Sequence, residues 1–169
     1  DLPLPSREVA AQALGIDAAE VGFGGHGIGL FQGGPRFLYV PLASREALAR
    51  ARPLEPQWSA MLRPLGCQMA YVYVRGGDDA ATLYRGRMFA PETGTFEDPA
   101  TGSATAILAA QLLASDALGD GTHRWQLEQG YEMGRPSDLW LEADVAGAKL
   151  TAVRVAGQAV QIAAGVLEL

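Results

Sequence analysis

The chain has 169 residues, 49% apolar and 19% charged, with 13 Lys and Arg against 19 Asp and Glu for a formal net charge of −6. That length suits one domain with a sizeable core, and the composition excludes a disordered chain. The acidic balance excludes a global basic field for nucleic acid or an anionic membrane surface, so an anionic substrate must be held by helix starts or single arginines.

A lone cysteine, Cys67, excludes an internal disulfide and a cysteine metal cluster, and points to a reducing, cytoplasmic setting. The sequence carries no signal-peptide pattern and no apolar run of bilayer-spanning length. Asp1-Leu2-Pro3-Leu4-Pro5 reads as a linker, and Ser6 as the cap of a short helix over residues 7–14 that Gly15 closes. The expected organisation is a linker and short helix over residues 1–15, then a single domain over residues 16–169.

Residues 22–34 are rich in glycine, but Gly24-Gly25-His26-Gly27-Ile28-Gly29 does not make a dinucleotide-binding loop. That loop needs a strand before it and an amphipathic helix after it. Instead, residues 28–32 and 36–42 read as strands of a hairpin turned at Gly33-Gly34-Pro35. Ser44 caps a helix that runs to about residue 50, and a second helix is expected over residues 55–65, approached through Pro53 and Pro56. Residues 67–74 alternate as a strand, Gly76-Gly77-Asp78-Asp79 turns, and residues 81–89 return as another strand.

The stretch over residues 96–115, FEDPATGSATAILAAQLLAS, organises the rest. Between residues 104 and 114 only Thr105 and Gln111 are polar, and Gly and Pro are absent, which predicts a three-turn helix. A helix apolar all round is buried, and this one is too short to cross a bilayer. Thr101 and Ser103 are candidate N-caps, and Gly102 lets another molecule approach the backbone. The unpaired N–H groups and positive dipole end of such a helix suit a carboxylate. Asp98, biased to an extended backbone by Pro99, sets a potential proton-transfer carboxylate beside them. An Asp or Thr before a helix is commonly a cap and nothing more, so residue types alone leave both readings open. Further strands are expected over residues 124–129, 139–143, 149–156 and 160–169, with Gly147 and Gly157 as turns. The predicted fold is α+β: a curved, mixed, mostly antiparallel, barrel-like sheet around a buried central helix.

Arg87-Met88-Phe89-Ala90-Pro91, Gly94, the run EDPATGSA from Glu97 to Ala104, Gln129-Gly130 and Gly134-Arg135-Pro136-Ser137 together carry a resemblance. From about Leu14 onward the chain resembles the PhzF-like phenazine-biosynthesis family, which shares its fold with diaminopimelate epimerases. The resemblance implies a protein of two similar halves, each a barrel-like sheet around a helix, with the active site in the cleft between them. This chain resembles the second half only. The implied reaction is an acid/base isomerisation that moves a proton between carbon atoms of a small carboxylate substrate, without metal or organic cofactor. The family's glutamate and histidine belong to the other half, and Glu97 and His26 do not replace them. Asp98 carries over as the catalytic group, with Gly102 and Ser103 at the helix start and Thr101 beside them as substrate-binding candidates. The implied partners are the substrate and the N-terminal half, or a second copy in a homodimer, with no nucleic acid and no membrane. The alternative reading is a non-catalytic small-anion-binding or assembly module with the same fold.

Other residues have structural readings. Arg87 is read as structural, orienting the loop or pairing with Asp98 or Glu97, and Arg135 as a turn residue stiffened by Pro136. Cys67 is a buried hydrophobe, and Trp58, Trp125 and Trp140 pack in the core or an interface. His26 and His123 lack metal-ligand spacing.

Overall fold

The computed structural model describes residues 3–116 and 118–167. Asp1 and Leu2 of the expected linker, and Glu168 and Leu169 of the expected last strand, lie outside the described residues. Ser6 Oγ accepts the Val9 N–H at 3.3 Å and starts helix α1 (Arg7–Leu14), which Gly15 ends at φ 67°. Strands β1 (Gly29–Gln32) and β2 (Arg36–Pro41) form the expected hairpin. Ser44 Oγ accepts the Ala47 N–H at 3.1 Å and starts α2 (Arg45–Arg50). The second helix is shorter than expected: α3 covers Gln57–Leu62, and Arg63–Leu65 tightens to a 3-10 turn, because Pro64 has no N–H to continue the α-helical ladder.

Strands β3 (Ala70–Arg75) and β4 (Tyr84–Ala90) follow. The second of these starts three residues late, because the loop before it is tied elsewhere. The buried Glu128 carboxylate accepts the N–H groups of Asp78 and Asp79 at 2.9 and 3.0 Å and the Thr82 hydroxyl at 3.1 Å. Strand β5 (Thr95–Asp98), helix α4 (Gly102–Asp116) and strands β6 (Gly121–Gln129), β7 (Ser137–Ala146) and β8 (Lys149–Gly157) complete the chain.

The strands form one mixed sheet in the order β1-β2-β3-β4-β6-β7-β8, with β5 added on β4. Only β2–β3 and β4–β6 are parallel. Helix α4 touches β1 and β2 towards one edge and β7 and β8 at the other, so the sheet curls into a half-barrel around it. Phe37, Tyr39, Tyr71, Tyr73 and Tyr84 line the concave side with Leu127 and Leu141. On the convex side, Leu38, Val40, Val72 and Val74 pack against Leu14, Leu48, Trp58 and Leu62 of the short helices. Strands covered on both faces read as continuous apolar runs, and β2 and β3 do so. In β7, covered on one face, Leu139, Leu141, Ala143 and Val145 alternate with more exposed residues.

Helix α4 departs from the expectation of a rod buried all round. Ala104, Thr105, Leu108, Ala109 and Leu112 are buried, but Ala106, Ala110 and Leu113 are half-buried and Ala114 is exposed. Steps of three and four residues put these on one face. The glycine-rich segment lies against another face of the helix. A Cβ on Gly33 would come within 2.9 Å of Ile107 Cγ1, one on Gly29 would strike Gln111 Oε1, and one on Gly25 would lie 3.0 Å from Ser115 O. Its composition therefore reflects close packing of backbone on helix.

The strand expected over residues 160–169 is not formed. Residues 158–167 make no ladder, and Val160, Ile162, Val166 and Leu167 are 83–92% exposed. Their alternation is strand-like, but no free sheet edge among the described residues receives them. Among the described residues, no helix is long and apolar enough to cross a membrane.

Candidate active site

The site is set by how one edge of β4 is shared. Tyr84, Arg85 and Gly86 pair with Leu127, Glu128 and Gln129 of parallel β6, whereas Met88, Phe89 and Ala90 pair with antiparallel β5. The two neighbours run towards each other and stop on either side of Arg87. Asp98, the last residue of β5, thus meets Gln129, the last of β6.

Gln129 is fully buried. Its Nε2 donates to the Asp98 main-chain oxygen at 2.7 Å and to Thr101 Oγ1 at 2.9 Å, while its Oε1 accepts the Thr101 N–H at 3.3 Å. The Thr101 hydroxyl donates to Asp98 Oδ2 at 2.6 Å. The Thr101 carbonyl accepts from Thr105 N at 2.9 Å and from Thr105 Oγ1 at 3.0 Å, which opens α4. The Tyr39 hydroxyl donates to Ala104 O at 2.7 Å and pins the first turn; burial pushes the pKa of that phenol up, so it stays a donor.

Gly130, at φ 80°, lets the next turn press on the same loop. A Cβ there would lie 2.8 Å from Pro99 O and 3.0 Å from Pro99 Cα. On the other side of the fork, Arg87 binds Glu97 with two parallel bonds of 2.9 Å and donates to Leu48 O and Ala51 O at 2.9 and 2.8 Å. Of the two expected partners of Arg87, Glu97 is the one it takes. Glu97 is consumed by this clamp, and Asp98 remains the carboxylate of the loop that faces outward.

Asp98 is partly exposed, and Gly102 and Ser103 are exposed. The N–H groups of Gly102 and Ser103 meet no acceptor among the described residues, and a side chain on Gly102 would find no atom within 4 Å. Asp98 Oδ1 likewise has no hydrogen-bond partner among the described residues. Thr101 differs from the expectation of a substrate-binding group. It is buried, and its N–H, hydroxyl and carbonyl are all engaged inside the protein. A cavity of about 200 Å³ adjoins the loop at Ala100 and Pro136, but its lining includes neither Asp98 nor Ser103.

Arg135 fits the expected turn, its N–H bonded to Gly130 O at 2.8 Å. Cys67 is buried in the convex core, where burial pushes its thiol pKa up. Trp58 is fully buried and Trp125 nearly so, while Trp140 is half-buried on the outer face of β7. His123 is bonded to Gly119 O at 2.8 Å near the edge of the sheet. His26, read from sequence as without a role, is buried at the far end of α4. Its Nδ1 lies 2.8 Å from the Tyr73 hydroxyl and its Nε2 2.8 Å from Asp116 Oδ1, while Tyr84 donates to Asp116 Oδ2 at 2.9 Å. This network closes the end of the half-barrel away from Asp98. Gln129 is the residue of the site that sequence reasoning missed; its presence beside Gly130 in the signature was the signal.

The model of the phenazine biosynthesis-like protein family PhzC-PhzF matches residues 2–165. An uncharacterised isomerase of Mesorhizobium japonicum is 40% identical over 159 residues, which cover 92% of this chain and 52% of that protein. A trans-2,3-dihydro-3-hydroxyanthranilate isomerase of Pseudomonas aeruginosa is 35% identical over 138 residues, 82% of this chain and 46% of that protein. The crystal structure of a PhzF-family phenazine biosynthesis protein from Bacillus anthracis superposes with a TM-score of 0.77 at 18% identity, covering 95% of this chain and 57% of that one, a likeness of fold. The chain spans about half the length of the curated relatives it matches. With the half-barrel, the EDPATGSA loop and these matches together, the chain belongs to the phenazine biosynthesis-like PhzC-PhzF family.

Proposed function

We propose that the chain is the C-terminal half of a cofactor-independent isomerase that moves a proton between carbon atoms of a small carboxylate-bearing substrate. The observation that carries this reading is the Asp98 carboxylate, anchored through Oδ2 and open at Oδ1, beside an exposed helix start with unpaired N–H groups. The Gly102 and Ser103 N–H groups, with the Ser103 hydroxyl, hold the substrate carboxylate. They also offset negative charge developing on the adjoining carbon. Asp98 accepts or returns the migrating proton, a contribution on the order of 10²–10⁴ in rate. The opposite wall and the main base come from an N-terminal half. The exposed, alternating Val160, Ile162 and Val166 support such a companion surface. That several relatives of this chain are named isomerases supports the reaction class.

The test uses the two-half protein in deuterated water with trans-2,3-dihydro-3-hydroxyanthranilate, the compound in the name of a relative. Deuterium enters the compound with the parent protein and not with D98N, while S103A weakens binding. Binding without exchange in the parent refutes the isomerase and leaves a non-catalytic binding module.

A further inference from the structure

The geometry points to Gln129 as the positioning residue of this site, a buried amide that aims the Asp98 carboxylate through the Thr101 hydroxyl without meeting the substrate. The inference rests on the reading of Asp98 as the working carboxylate.

The bond directions are forced. The Gln129 atom at 2.7 Å from the Asp98 main-chain oxygen faces a pure acceptor, so it is the nitrogen, and Oε1 is left to accept the Thr101 N–H. The second N–H of the amide goes to Thr101 Oγ1 at 2.9 Å, which makes that oxygen an acceptor there. Its single proton is then left for Asp98 Oδ2 at 2.6 Å. Turning the hydroxyl proton back towards Gln129 would set it against an N–H and strip Oδ2 of its donor. Each bond polarises the next, and the last is strengthened by the carboxylate charge.

One side chain thereby fixes three things: the main chain before Pro99, the main chain after Ala100, and the rotation of the carboxylate between them. It leaves Oδ1 as the oxygen available for chemistry. Gln129 itself is placed by the parallel pairing of β6 with Gly86 and is fully buried, out of reach of any ligand. The position demands two donated protons and one accepted. Methionine of the same length supplies neither, and a carboxylate supplies only the acceptor.

Two measurements test the arrangement. In the ¹³C,¹⁵N-labelled 169-residue chain, the Thr101 hydroxyl proton gives a slowly exchanging resonance in the parent that is lost in Q129M and Q129E. In the two-half protein with trans-2,3-dihydro-3-hydroxyanthranilate, Q129M and T101V lower kcat about 10²-fold, the scale of a misplaced catalytic group. KM stays within roughly threefold, because the substrate-holding N–H groups are untouched. T101V keeps the bonds of the amide to the main chain, so it isolates the relay even where Q129M fails to fold. Persistence of the hydroxyl resonance in both Gln129 variants, or an unchanged kcat in T101V, overturns the inference. Absence of any exchange in the parent protein overturns the functional reading instead, and the resonance alone then decides the wiring.

Discussion

Gly130→Ala tests whether the tight crossing at the end of β6 holds the Asp98 loop. Gly130 stands at φ 80°, and Gly134 three residues after Tyr131's turn stands at φ 73°. Either alanine bears the cost of a left-handed conformation, about 1–2 kcal/mol. Their surroundings differ. A Cβ on Gly134 finds open space, whereas one on Gly130 meets the Arg135 carbonyl and lies 2.8 Å from Pro99 O and 3.0 Å from Pro99 Cα, all main-chain atoms that cannot rotate away. Overpacking of that kind adds about 1–3 kcal/mol. The expected losses are therefore about 3 kcal/mol for G130A and about 1 kcal/mol for G134A, from a total of roughly 5–15. In thermal terms these are drops of about 6–12 °C and 2–4 °C. Urea denaturation followed by circular dichroism, with thermal melts beside it, measures both. Equal losses in the two variants would refute the reasoning, since only the shared backbone strain would then be at work.

Arg87→Ala leaves the Glu97 carboxylate buried without its partner and five carbonyl and carboxylate bonds unmade, a loss of about 3–5 kcal/mol. Adding Glu97→Gln recovers part of it, and a loss under about 1 kcal/mol in R87A, by the same urea melts, contradicts the clamp. The Cys67 thiol, raised by burial, reacts with a disulfide reagent at pH 8 more than about tenfold slower in the native chain than in urea. Because the folded thiol titrates above the unfolded one, its stabilising effect is intact below the unfolded pKa of about 8.5 and fades as pH rises beyond it. The stability difference between C67A and the parent therefore narrows between pH 8 and pH 10, and a widening gap refutes the assignment. Truncation after Gly157 removes no ladder bond among the described residues, so the urea midpoint of the isolated chain moves by the equivalent of less than about 0.5 kcal/mol. A larger fall shows that the tail packs on this half.

Local chemistry carried much of the fold. Ser6, Ser44 and Gly15 cap where their residue types suggest, and the apolar run after Ser103 forms the axis of the half-barrel. The EDPATGSA loop was legible because its unusual residue types sit in one short segment. What stayed hidden depends on partners distant in sequence. Gln129 reaches Thr101 across 28 positions through the pairing of β4 with β5 and β6, and His26 reaches Asp116 across 90 through the packing of the glycine-rich segment on α4, neither of which a local pattern encodes. The convex layer was hidden for a similar reason: the short helices show too few turns to reveal which face is buried. The tail misled because alternation signals a strand only where a free edge receives it; the glycines gave the hairpin but not their close approach to α4, because turn formation and close packing call for the same residue.

The shared edge of β4 has a consequence for how this sequence tolerates length changes. Because β5 and β6 stop on either side of Arg87, that edge has no vacant rung beyond the one at Arg87 itself. Inserting a residue near Glu97 or Glu128 forces one strand to advance into the space of the other, and every side chain beyond it swaps from one side of the sheet to the opposite side. The loop from Gly76 to Leu83 is tied to Glu128 at Asp78, Asp79 and Thr82, but between those anchors Ala80 and Ala81 face solvent at its tip. Duplications and deletions are thus absorbed at that tip, while the lengths of the segments on either side of Arg87 stay fixed.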